Sequence, residues 1–200
     1  MSAQLNVVPD PAFEALKPAL AERLARLGAS IHAAEFCALL DPLMRQTLQR
    51  GFAEAGAHEG TVWLLDETSE NLEPAYNSGP DADKFVGSFK QPLGAGLICM
   101  VFASQQAFLE NEVSKNRQQS KLLDSRLRNE TLAMMAVPFN FLHDCRGVIS
   151  CVQLQRPGMA QSVPAGFTPA HLNEVQRVAA LLSQLLEFRL LSLAIGWNGA

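Results

Sequence analysis

The chain has 200 residues, is 48% hydrophobic and 18% charged, and carries a formal net charge of −4. This is long and apolar enough to bury a core and excludes an intrinsically disordered chain. The acidic excess argues against nucleic acid as the main partner, because phosphate binding needs clustered Lys and Arg; the basic residues between Lys115 and Arg128 are diluted by Asp124 and Glu130 and read as a solvated loop.

Met1 is followed by neither a basic nor an apolar leader region, so no signal peptide is expected. Asp10-Pro11 reads as a helix N-cap with proline at the first position. Phe13, Leu16, Leu20, Leu24 and Leu27 follow at helical spacing up to Gly28, with Pro18 predicting a kink or restart. A short helix is expected within Ser30 to Leu40, and Asp41-Pro42 opens a third, carried by Leu43, Met44, Leu48 and Phe52. TVWLL at Thr61 to Leu65 is a strand, and after the polar turn DETSEN its antiparallel partner runs from Leu72 to Asn77. Phe85 to Lys90 is expected as a further strand, then a bend at Gln91 to Gly96, an apolar helix at Leu97 to Ser104 and a brief strand at Ala107 to Glu110. The polar segment Asn111 to Glu130 holds a helix within Gln118 to Leu127.

The organising stretch is Thr131 to Leu154, TLAMMAVPFNFLHDCRGVISCVQL. Two apolar strands, Thr131 to Phe139 and Gly147 to Leu154, flank a turn predicted over Asn140 to Gly147, and their scarcity of charge places them mid-sheet with both faces covered. Thr168-Pro169 then caps a helix of about 27 residues ending near Ile195, roughly 40 Å long at 1.5 Å per residue. It has two apolar stripes, one through Leu172, Val175, Ala179, Leu182, Leu186 and Leu193, the other through Val178, Leu181, Leu185, Phe188, Leu191 and Ile195. One covers the sheet; the other needs the N-terminal helices or a second subunit. Glu187 and Arg189 near the middle of this apolar stretch argue against a membrane span, so no membrane association and a cytoplasmic location are expected.

Chemical motifs are sparse. Cys37, Cys99, Cys145 and Cys151 have no CxxC spacing, and His32, His58 and His171 stand alone, so no metal site or disulfide framework is expected. His143-Asp144-Cys145 is a compact set of catalytic types, but three adjacent turn residues point in different directions. Gly94-Ala95-Gly96 lacks the Lys of a phosphate loop.

Taken in order, GTVWLLDE, PLGAGLI, QAFLEN, LAMMAVPF, GVISCVQL and FTPAHLNEVQRVAALLS resemble a GAF domain over about Ala34 to Leu190. The resemblance implies an α+β fold, a central antiparallel sheet of about six strands flanked by helices. To it the extra N-terminal helices and the long C-terminal helix add a helical bundle. The expected division is an N-terminal helical extension over 1–33, the GAF-like domain over 34–190 and a tail over 191–200. The resemblance also implies a small-molecule pocket on the helix-rich face of the sheet, roofed by Gln91 to Ser104 and Asn111 to Glu130. Its lining would be Phe89, Leu93, Val101, Phe102, Asn111, Leu123, Met135 and Gln153. The cyclic-nucleotide Asn-Lys-Phe-Asp-Glu pattern, the cysteine pair of the free methionine sulfoxide reductases and a bilin-attachment cysteine are all missing, so no cofactor and no enzymatic activity are expected.

The first functional reading is therefore a sensor that binds a small molecule and signals, as a homodimer, to a separate partner protein. Its dimer interface would use Leu16, Leu20 and Leu24 with Leu182, Leu185, Leu186 and Leu193. The alternative is a ligand-free adaptor whose pocket is filled by its own side chains, and a third is a redox enzyme acting through Cys99. A sensor requires a cavity with at least two convergent polar groups.

Overall fold

Capping and alternation set the elements of the computed structural model, which describes residues 10–156 and 164–197. They run α1 (Pro11–Ala29), α2 (Ala33–Leu39), α3 (Pro42–Glu54), β1 (Glu59–Leu65), β2 (Asn71–Asn77), β3 (Gln91–Pro92), α4 (Leu97–Ser104), β4 (Phe108–Glu110), α5 (Leu122–Leu127), β5 (Glu130–Phe141), β6 (Asp144–Gln155) and α6 (Pro169–Ile195). Asp10 accepts a hydrogen bond from the Ala12 amide at 2.9 Å and Asp41 one from Met44 at 2.8 Å, while Thr168 and His171 form a reciprocal capping box. Pro18 neither breaks nor restarts α1, which is continuous through it. That turn is exposed, so solvent can satisfy the carbonyl that the missing amide leaves free.

The six strands form one sheet in the order β3-β2-β1-β6-β5-β4, every neighbouring pair antiparallel. The β5–β6 hairpin is longer than the sequence indicates. Its turn is only Leu142-His143, both at positive φ (51° and 70°), which is the two-residue geometry that matches strand twist. Phe85 to Lys90 is not a strand. Phe89 N bonds to Phe85 O and Val86 N to Ala82 O, and these helical turns bury Phe85 and Phe89 on one side.

Alternation sorts the side chains into two apolar layers. Val62, Leu64, Met135, Val137, Phe139, Ile149 and Cys151 face α2, α3 and α6. Trp63, Met134, Ala136 and Val148 face α4 and the segments around α5. α6 covers the first face with Val175, Val178, Leu182, Leu186 and Leu190, all buried, and α1 lies along α6. By length and composition α6 would pass for a membrane span; its buried stripe makes it a core helix of this domain. It crosses α3 closely at Gly51, where a Cβ would come within 2.2 Å of Val178 Cγ2. The hairpin tip also docks on this layer: the Leu142 amide donates to Glu187 Oε1 at 2.7 Å, and the Ser183 hydroxyl to Asn140 O.

Candidate ligand cavity

On the opposite face, that of α4 and α5 rather than of the four remaining helices, the chain forms a partly open cavity of about 70 Å³. Its floor is the sheet. Asn77, Thr61 and Ser150 are direct cross-strand neighbours on β2, β1 and β6, so three polar side chains form one row across an otherwise apolar surface. Asn77 Nδ2 donates to Thr61 Oγ1 at 2.9 Å, and Trp63 Nε1 donates to Ser150 Oγ at 2.9 Å. Glu59, one pleat along β1, is 3% exposed and ion-paired with Arg156. Thr131 and Met134 share the wall although they are three positions apart, an odd spacing that regular alternation would send to opposite faces. A bulge between Thr131 and Ala133 inserts one unpaired residue and reverses the phase of alternation.

The roof comes from Gln91, the first turn of α4 and residues 119–129. Gln91 holds the bend by donating from Nε2 to Ala95 O at 2.9 Å, and Gly96, at φ +96°, leaves space that a Cβ would lose to Ser120 at 3.0 Å. Asp124 anchors α5 to β5, accepting from Thr131 Oγ1 at 2.7 Å and Thr131 N at 3.1 Å. Arg126 ties the roof outward, donating to Lys84 O at 2.6 Å and Ser88 Oγ at 3.1 Å above the Phe89 ring.

Of the eight residues expected to line a pocket, Leu123 lies on the cavity wall. Phe89 packs edge-on against Trp63, Val101 is fully buried in the same layer, and Leu93 and Phe102 are partly buried at its margin. The other three sit elsewhere. Met135 and Gln153 point to the opposite face, because Met134 and Val152 take the cavity side of the pleat. Gln153 is buried but satisfied, donating to Gly56 O at 2.9 Å and accepting from Gly166 N at 3.1 Å. Asn111 is likewise occupied, donating to Phe167 O at 3.0 Å and accepting from Phe167 N at 2.7 Å, which ties the end of β4 to the segment before α6. Glu59, Thr61, Trp63, Asn77 and Ser150 escaped the sequence reading. Their signal was polar residues recurring at period two in strands that otherwise read as apolar runs.

The isolated histidines serve structure, and of the four cysteines Cys99 and Cys151 are buried while Cys37 is exposed. His32 Nδ1 meets Leu65 O at 3.1 Å, His58 Nδ1 accepts from Leu154 N at 3.0 Å, and His171 belongs to the α6 cap. Cys99 is buried, and burial pushes its thiol up to about 11 although a backbone hydrogen bond from the bend opposes the shift. Burial also raises Cys151 and Cys145, whereas thiol chemistry needs a lowered value. Among the described residues, no three His, Cys, Asp or Glu cluster to hold a metal ion.

No protein-family model matches this chain, and no curated protein does. Solved structures do match its fold. The GAF domain of a phosphoenolpyruvate-protein phosphotransferase from Coxiella burnetii is 14% identical with a TM-score of 0.60, covering 94% of this chain and 99% of that one. Residues 122 to 287 of a methyl-accepting chemotaxis protein are 17% identical with a TM-score of 0.56, covering 87% and 97%. Free methionine-R-sulfoxide reductase from Neisseria meningitidis, solved with its substrate, is 17% identical with a TM-score of 0.50, covering 95% and 96%. The chain has a GAF-like fold, shared with signalling modules and with an enzyme.

Proposed function

We propose that this protein is a sensing module that binds a small molecule in the cavity and acts without catalysis, signalling through its helical layer as a homodimer to a separate partner protein. The observation that carries the reading is the cavity, where the Asn77–Thr61–Ser150 row lies beneath a roof built from separate segments. The chemotaxis and phosphotransferase GAF structures support a signalling role by analogy of fold. The sulfoxide reductase shows that the fold also hosts enzymes; the raised, buried thiols speak against that chemistry here.

The β5–β6 hairpin is the route from cavity to helices. Ser150, Val152 and Met134 touch the cavity, and the tip of the same hairpin is bonded to α6 through Glu187 and Ser183. A ligand that favours one position of the roof and hairpin over another biases the packing of α6 by that difference in affinity.

Native and denaturing mass spectra of the freshly purified protein test the proposal. A dimer carrying extra mass that is lost on denaturation is expected. A protein that carries no such mass, and whose stability responds to no small molecule offered, is the ligand-free adaptor instead.

A further inference from the structure

The ionisable residues that line the cavity are both acidic, and one of them, Glu59, is ion-paired from behind the wall by Arg156. Glu59 in the floor and Asp124 in the roof are its ionisable residues, and among the described residues no Lys, Arg or His lines it. The Glu59 carboxylate lies against the backbone of Gly79, where a Cβ would be 2.2 Å from its Cδ. Its partner Arg156 has a side chain 25% exposed, and Asp124 receives its two hydrogen bonds from Thr131 alone. A carboxylate accepts about four hydrogen bonds, so both retain capacity. The Trp63 indole, two pleats along β1 from Glu59, lines the same cavity and offers a surface that suits a cation, with its own N–H already committed to Ser150. The first turn of α4, which has no side-chain cap, also lines the roof and leaves amides for an acceptor group. A volume of about 70 Å³ holds about five water-sized groups.

We infer that the cavity takes a compact primary ammonium compound of about four to six heavy atoms, its charged end held between the Glu59 and Asp124 carboxylates. This rests on the sensing reading above and specifies its ligand class. Two sources share the chemistry, an amino alcohol and a small α-amino acid, and the α4 amides distinguish them by favouring a carboxylate.

The test uses the full chain with Trp197→Phe, which leaves Trp63 as the one indole of the two in the sequence. Trp63 emission and calorimetry are followed with ethanolamine, ethylene glycol, alanine, acetate and inorganic phosphate as probes. Ethanolamine or alanine is expected to shift the emission and to bind at least about tenfold more tightly than ethylene glycol, a difference of about 1.4 kcal/mol. Alanine ahead of ethanolamine identifies the amino-acid source; the reverse order identifies the amino alcohol. Asp124→Asn and Glu59→Gln are each expected to weaken ammonium binding about tenfold or more, with circular dichroism unchanged. Should Glu59→Gln fail to fold, the Glu59→Gln/Arg156→Gln double variant, which leaves no unpaired guanidinium, carries that arm. Glycol, acetate or phosphate binding as well as the ammonium probes would overturn the ligand class while leaving the sensing reading standing. Silence of Trp63 toward every probe would also overturn it, and the bound mass in the native spectrum then decides the sensing reading separately.

Discussion

Asp66 closes the β1–β2 turn almost alone. Its carboxylate accepts from Thr68 Oγ1 at 2.9 Å, Glu70 N at 3.1 Å, Asn71 N at 3.2 Å, Asn71 Nδ2 at 2.9 Å and Lys90 Nζ at 3.0 Å. Burial opposes its ionisation, but the bonds from Asn71, Lys90 and Thr68 outweigh that and hold its pKa far below the usual carboxylate range. With the folded value depressed, the stabilisation is fully present above about pH 4, the ordinary aspartate value, and is lost as pH falls toward the folded value. Urea midpoints measured from pH 6 to pH 2 should therefore fall more steeply for the wild type than for Asp66→Asn, which should itself cost about 2 kcal/mol at neutral pH. At the other hairpin the two turn residues are the wrong type for their backbone. His143 at φ +70° pays the strain of a side chain in the left-handed region, so His143→Gly should raise stability by up to about 1 kcal/mol in the same urea assay. DETSEN announces its turn through polar, turn-forming residues; Leu142-His143 does not, because tertiary contacts to Glu187, and to Gly28 beneath Leu142, set that conformation.

The helices were legible because their caps are local. Asp10-Pro11, Asp41-Pro42 and Thr168-Pro169 each open a helix where expected, and the strands TVWLL and GVISCVQL lie inside β1 and β6. What the pattern did not carry is phase. The bulge after Thr131 decides which β5 residues see the cavity, and an apolar strand covered on both sides gives no contrast from which to read it. Phe85 to Lys90 misled for a related reason: apolar residues four apart fit one helical turn as well as a strand edge. The α3–α6 crossing offers an element-scale test. Gly to Ala inside a helix ordinarily stabilises by about 1 kcal/mol. Gly51→Ala should instead destabilise by about 1–3 kcal/mol, since its methyl meets Val178. Adding Val178→Ala should recover part of that loss in a double-mutant cycle, and additivity of the two changes would show that the helices do not meet there.

Across the whole molecule, exposed apolar side chains gather on the helical layer. Phe13 and Leu16 of α1, Leu43 of α3, and Leu181, Phe188, Leu191, Leu193 and Ile195 of α6 are exposed, and Trp197 follows them. Leu20 and Leu24 are half-buried where α1 meets the rest. The same geometry removes Leu182 and Leu186 from any subunit interface, because both are wholly buried against the sheet of their own chain; Leu185 is partly buried. Leu182→Asp should therefore unfold the protein, read as loss of the cooperative thermal transition. Phe188→Asp, at a side chain 62% exposed, should leave that transition within about 0.5 kcal/mol of wild type and convert the proposed dimer to monomer in light scattering. A Phe188→Asp protein that keeps its dimer mass would place the second subunit elsewhere.

The strand order has a consequence for how the chain is made. β1 bonds to β6, about ninety residues later, and the α6 residues that seal the bundle face come last. During synthesis Val62, Leu64, Phe139 and Ile149 therefore leave the ribosome with α2 and α3 already made but before α6, the rest of their cover, exists. Nascent chains of this protein should hold chaperones until translation has passed Leu190, and a chain arrested ahead of Pro169 should aggregate.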